Sequence, residues 1–241
     1  GLTAPKVVVA NSGGAVPGMF YLAGRFKEMY EWATRFDDPR FISWSRLRTG
    51  PVMDIDFLVD GILAKQVPEL EKEIYPETNY FLASTRFPLR TPHWFSRQSG
   101  EPLFEQIRAT TTASGVSGPL VNINGSWYAD GHFTISIHDC VAKAFAEGAE
   151  RVLLIDNAIY GKASLAIQTL LKYGVRRAHD SVRRAIEGYC EQVRYPVRAR
   201  ENIVICRREH LMCRHPLTRS SYRLHATIKQ GYEDMGRLRL D

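Results

Sequence analysis

Residues 7–14 read VVVANSGG, and no other stretch constrains the fold as much. Lys6 to Ala10 reads as a short buried strand: its valines are β-branched and nothing polar interrupts 7–10. A helical pattern starts at Gly14, with Met19, Leu22, Phe26 and Met29 recurring at steps of three and four. The strand therefore passes into a helix through Asn11, Ser12 and Gly13 alone. Ser12 has two readings at such a turn. It is either a nucleophile held on a sharp strand-to-helix elbow or the cap of a buried helix packed through its glycines. The pentapeptide Ala10-Asn11-Ser12-Gly13-Gly14 approximates the G-x-S-x-G elbow, with alanine for the first glycine. In that reading the unpaired N–H groups of the helix N-terminus, Gly13 first among them, serve as oxyanion donors.

Downstream, strands and helices keep alternating. Residues 54–64 predict a helix capped by Asp54, with Ile55, Leu58, Val59 and Ile62 on one face. Asn79 to Ser84 reads as a strand, and Pro102 opens a helix through about Thr112. Asn124–Gly125 between two short apolar runs predicts a hairpin. Asp139 to Glu147 reads as a helix ended by Gly148, and Arg151–Ile155 as a buried strand. This alternation through residue 156 predicts an α/β layered domain with a mostly parallel sheet. Beyond it, 163–173, 178–193 and 221–231 read as helices and 202–206 as a strand.

A chain of 241 residues suits one large domain, or one domain plus an appendage, and needs no covalent staples to fold. It holds no apolar run of the roughly 20 residues that cross a bilayer, and no leader pattern at its start. Four cysteines (Cys140, Cys190, Cys206 and Cys213) are no disulfide framework, so a reducing, cytoplasmic setting is expected. Cys206, His210, Cys213 and His215 lie close together, but their spacing matches no zinc pattern, and no metal is expected. Charge is unevenly placed: residues 1–171 carry 16 basic and 18 acidic groups, 172–241 carry 16 and 8. The basic tail is either an ordinary solvated surface or a contact for an anionic one. No nucleic-acid motif accompanies Arg176, Arg177, Arg183, Arg184, Arg207 and Arg208, so nucleic acid is not the expected partner.

Residues 106–133 read QIRATTTASGVSGPLVNINGSWYADGHF. Together with ANSGGA at 10–15, this stretch resembles the patatin-like phospholipase family. In that family a serine elbow is followed far downstream by an alanine- and serine-rich helix end, a hairpin with I-x-G-x-x-Y, and then Asp-Gly-Gly or Asp-Gly-Ala. A helix ending in Gly-Ala and a strand follow, as Val141–Ala149 and Arg151–Ile155 do here. GPVMDIDFLVDGIL (50–63) and QGYEDMGRL (230–238) are similar to the linker and the ending of bacterial members. The resemblance implies a three-layer α/β/α core over 1–160 and a basic, mainly helical extension over 161–241. It implies a Ser-Asp dyad without a catalytic histidine, acting on lipid acyl esters without metal or cofactor. Ser12 would be the nucleophile and Asp130 the base. Asn11, Gly13 and Gly14 would form the elbow and oxyanion donors, and Gly131 the turn after the base. Peripheral contact with an anionic membrane through the extension is the expected association. Read without the resemblance, Asp130 is a turn residue before Gly131.

The chain departs from the family pattern twice. The Gly-Gly-Gly-x-Arg-Gly oxyanion loop that precedes the elbow is absent, since Gly13–Gly14 is the only Gly-Gly pair. The expectation is a piece of a longer chain, a member without activity that serves as a scaffold for lipid or a protein partner, or a site completed by another chain. Second, His132 stands where the family has a small residue. It is either an aid to proton transfer or a residue at the rim of the site. Trp94, Phe95 and Trp127 either line an acyl channel or pack in the core.

Overall fold

The computed structural model describes residues 5–43, 45–46, 49–113, 117–156, 197–207, 225–231 and 233. β1 (Val7–Asn11) leads through a 3₁₀ turn at Ser12–Gly14 into α1 (Ala15–Leu22). α1 buries Ala15, Val16, Met19, Phe20 and Leu22, and its Gly18 packs against the side chains of Val8 and Ala10. Gly24, at φ +67°, stops the helix, so the pattern running on to Phe26 and Met29 belongs to a second helix, α2 (Phe26–Thr34).

Asp54 caps the next helical stretch as expected: its Oδ1 accepts the Phe57 N–H at 2.8 Å. Ile55, Leu58, Val59 and Ile62 are all buried. Phe57–Leu63 winds as a π-helix, however, which widens the turn and lays the Phe57 ring over the side-chain-less Gly61. Two short helices follow, α3 (Ala64–Gln66) and α4 (Leu70–Glu73). α5 (Leu103–Thr111) starts after Pro102 and is pinned to the π-helical stretch by Arg108, which pairs with Asp56 and Asp60.

The sheet is built on β2 (Asn79–Phe87), which continues past the expected strand and returns as β3 (Thr91–Ser96). β4 (Val121–Ile123) and β5 (Ser126–Asp130) form the expected hairpin, with Asn124 at φ +50° and Gly125 at +79°. The sheet is mixed. β1 and β2 are parallel, while β2 pairs antiparallel with β3 and β5, and β4 antiparallel with β5. A second parallel pair joins β6 (Val152–Asp156) to β7 (Ile203–Arg207).

One consequence of register governs the rest. β1 pairs with residues 79–83 of β2, β5 with 84–87, and β3 with 81–86. Because β3 overlaps both others, it holds one edge of β2, and β1 and β5 share the opposite edge end to end. Asn11 faces Ala83 and Asp130 faces Ser84, so the last residues of β1 and β5 meet at adjacent positions on β2.

The main core gathers α1, the π-helical stretch, β2, β3 and α5, around Phe20, Leu63, Tyr80, Leu82, Phe95 and Ile107. α6 (Ile137–Ala146) begins with the capping box Ser136–Asp139 and builds a smaller cluster from Val141, Val197 and Ile203. Residues 225–231 are helical, and His225 Nδ1 lies 2.7 Å from Tyr30 Oη of α2. The helices expected over 163–173 and 178–193 lie outside the described residues.

Candidate active site

Ser12 stands at the first position after β1 with φ +53°, the left-handed region that a residue with a Cβ enters at a cost of about 1–2 kcal/mol. The strain is held by what surrounds it: β1 is paired through Asn11, and α1 is fixed by its buried face. Neither the 3₁₀ turn nor α1 has a side-chain cap bond. The serine hydroxyl turns instead to the neighbouring strand end, where Ser12 Oγ donates to Asp130 Oδ2 at 2.5 Å. Ser12 thus sits on a sharp strand-to-helix turn, and its side chain caps neither the 3₁₀ turn nor α1.

Asp130 is 4% exposed and held on all sides. Its N–H donates to the Thr112 carbonyl at 2.9 Å, just past the end of α5. Its carbonyl accepts from Thr85 Oγ1 at 3.0 Å. Its other carboxylate oxygen, Oδ1, accepts from the His132 N–H at 2.9 Å and lies 3.0 Å from His132 Nδ1. Asp130 thus caps the 3₁₀ turn Gly131–Phe133 and also meets the serine, so the turn-residue reading and the dyad geometry coexist.

Gly131 is required by close approach. A Cβ there would lie 2.7 Å from Asn11 Oδ1 and 2.8 Å from both the carbonyl carbon and the Cβ of Ala83. Gly13 and Gly14 differ: a Cβ on either meets nothing within 4 Å. The space before the helix N-terminus is open, and the Gly13 N–H belongs to its orphan donors. Asn11 Nδ2 donates to the Ile135 carbonyl at 3.3 Å, tying the elbow to the loop after Asp130.

Burial alone would pull the His132 imidazole down, and it is the largest single influence. The charge of Asp130 and the hydrogen bond to it together outweigh burial and hold His132 above its ordinary 6.5. Burial, helped by Asp139, pushes the Cys140 thiol up to about 12.

The Ser12–Asp130 pair lies at a partly exposed turn. A cavity of about 280 Å³ lined by Arg35, Arg40, Phe57 and Lys65, and one of about 700 Å³ lined by Arg151, Arg200, Glu201 and Asn202, include neither Ser12 nor Asp130. Phe95 is a core residue, Trp94 is half-buried, and Trp127 is 47% exposed. Of the residues weighed for zinc, Cys206 lies in β7 and the others fall outside the described residues. No helix among the described residues is long and apolar enough to cross a membrane.

Thr85 and Thr112 were not legible as partners of Asp130, because they act on its backbone from distant segments. His132, weighed as an aid to proton transfer or a rim residue, has its Nδ1 3.0 Å from Asp130 Oδ1. No family model matches the chain, and no curated protein matches it.

Proposed function

We propose that this chain is a serine acyl hydrolase of the patatin-like phospholipase kind, cleaving lipid acyl esters with a Ser12–Asp130 dyad. The observation that carries the reading is the 2.5 Å hydrogen bond from Ser12 Oγ to Asp130 Oδ2, made by a serine at φ +53° on a strand-to-helix elbow. Further support comes from helices on both faces of β1–β2: α1 against Val8 and Ala10, and Lys143 of α6 4.1 Å from the Phe81 ring centroid. That arrangement suits a three-layer α/β/α core.

In the reaction, Ser12 Oγ bonds to the ester carbonyl carbon while its proton passes to Asp130 Oδ2. The carbonyl oxygen becomes an oxyanion facing the Gly13 N–H and the helix N-terminus. Collapse breaks the ester C–O bond, and the departing alkoxide takes the proton from Asp130. Water, deprotonated by the same carboxylate, then attacks the acyl-serine and restores Ser12. A carboxylate is a weak base for a serine hydroxyl, and a buried Asp130 at hydrogen-bond distance is the arrangement that makes the transfer feasible. Basic residues beyond 161 would hold the protein near anionic headgroups, each exposed one contributing about 1 kcal/mol at such a surface.

The single Gly-Gly pair favours a second reading, a patatin-like scaffold that binds lipid or a protein partner without turnover. Intact mass after incubation with a fluorophosphonate separates the two. One adduct on the wild type, absent from Ser12→Ala, is the expected result. No adduct on folded wild type overturns the hydrolase reading and leaves the scaffold.

A further inference from the structure

We infer that His132 is a positioning residue, holding the Asp130 carboxylate so that a single oxygen, Oδ2, is committed to Ser12. The inference rests on the acyl-hydrolase reading. Two donors from His132 converge on the other oxygen: its backbone N–H at 2.9 Å and its Nδ1 at 3.0 Å from Oδ1. An ionised carboxylate only accepts, so the proton of the neutral imidazole sits on Nδ1. Left alone, an aspartate carboxylate turns about a broad, roughly two-fold torsion and offers its oxygens interchangeably. Here the two donors distinguish them. Oδ1 is saturated, and Oδ2 faces the serine at 2.5 Å.

Three features of the chain build this contact. Gly131 crosses Ala83 too closely for any side chain, which sets Asp130 and the following residues tight against β2. Residues 131–133 then curl in one 3₁₀ turn, which returns His132 to the side chain two positions earlier. The Thr85 and Thr112 bonds fix the Asp130 backbone, leaving the carboxylate torsion as the remaining freedom, and His132 removes it. Side-chain exposure follows the same division: Asp130 is 5% exposed and His132 33%.

The contact also survives the chemistry. When Oδ2 takes the serine proton, Oδ1 becomes the carbonyl-like oxygen of the acid and still accepts both His132 donors. The base therefore returns the proton from the position at which it received it. The same bond holds in the imidazolium form, in keeping with a His132 that stays protonated above its ordinary value.

The test compares wild type with His132→Ala, His132→Asn and Ser12→Ala. Asparagine keeps a side-chain N–H donor close to the place of Nδ1 and guards against a misfolded alanine variant. The measurements are the rate of fluorophosphonate adduct formation, kcat and KM for p-nitrophenyl butyrate, and the thermal midpoint. Loss of alignment is expected to lower kcat and the labelling rate of His132→Ala by up to about 100-fold with KM unchanged, and His132→Asn to recover most of it. His132→Ala with wild-type kcat and labelling overturns the inference while leaving Ser12 the nucleophile, as does an asparagine variant no better than alanine. A wild type that forms no adduct overturns the hydrolase reading itself, and this inference with it. The imidazole ¹⁵N spectrum then tells whether the Nδ1 proton signal, lost in Asp130→Ala, persists as a purely structural contact.

Discussion

Replacing Gly131 by alanine adds one methyl group at the point where β1, β2 and β5 converge. Its new Cβ would stand 2.8 Å from the carbonyl carbon and Cβ of Ala83 and 2.7 Å from Asn11 Oδ1. Comfortable carbon contacts begin near 3.5 Å, so the chain must open by about 0.7 Å. Ala83 cannot yield cheaply, because β2 is paired there with β1 on one edge and β3 on the other. The displacement therefore falls on residues 130–132. Overpacking of this kind costs about 1–3 kcal/mol, and a cost near ~2 kcal/mol lowers Tm by about 4–8 °C in a chain of this size. Moving Asp130 by most of an ångström lengthens its bond to Ser12, and a misplacement of ~1 Å costs about 100-fold in rate. Differential scanning calorimetry and the fluorophosphonate labelling rate should fall together. Gly13→Ala is the control: it keeps the backbone N–H and meets no atom within 4 Å, so Tm should hold within about 2 °C. A Gly131→Ala variant with wild-type Tm and labelling rate, or a Gly13→Ala variant that loses as much, would refute the close-approach account of this site.

Ser12→Gly and Ser12→Ala should both abolish adduct formation, yet differ in stability. Glycine enters φ +53° freely and alanine does not, so the glycine variant should be more stable by about 1 kcal/mol in urea denaturation, and equal midpoints would contradict backbone strain at the elbow. His132 gives a pH dependence whose sign is set. Its folded value is raised, so its contribution is full below the unfolded 6.5 and is lost as pH rises through the folded value. The stability gap between wild type and His132→Asn should thus be wider at about pH 6 than at about pH 9, and a constant or inverted gap would rule out an ionic His132–Asp130 contact.

Much of the local structure was written in neighbouring residues. The Asn124–Gly125 turn, the Asp54 cap and the stop at Gly148 each depend on a few adjacent side chains and formed as read, and the valine run formed β1, with Val7–Val9 half-buried where a buried strand was expected. The sharp strand-to-helix turn at Ser12 belongs with them, because small residues between a strand and a helix permit few other paths, whereas the role of its hydroxyl stood open between two readings. What the sequence could not carry was pairing. Which edge of β2 receives β1 and β5 depends on the whole sheet closing over one core, and that choice alone brings residues 118 apart into a hydrogen bond. The same long-range competition made the sheet mixed and extended β2 into the β3 hairpin, while Phe57–Leu63 wound as a π-helix in place of the expected α-helix. His132 shows the division most clearly. Its chemistry is plain from its identity, but its partner was decided by a glycine pressed against Ala83 and the 3₁₀ turn that follows, a contact set by tertiary packing.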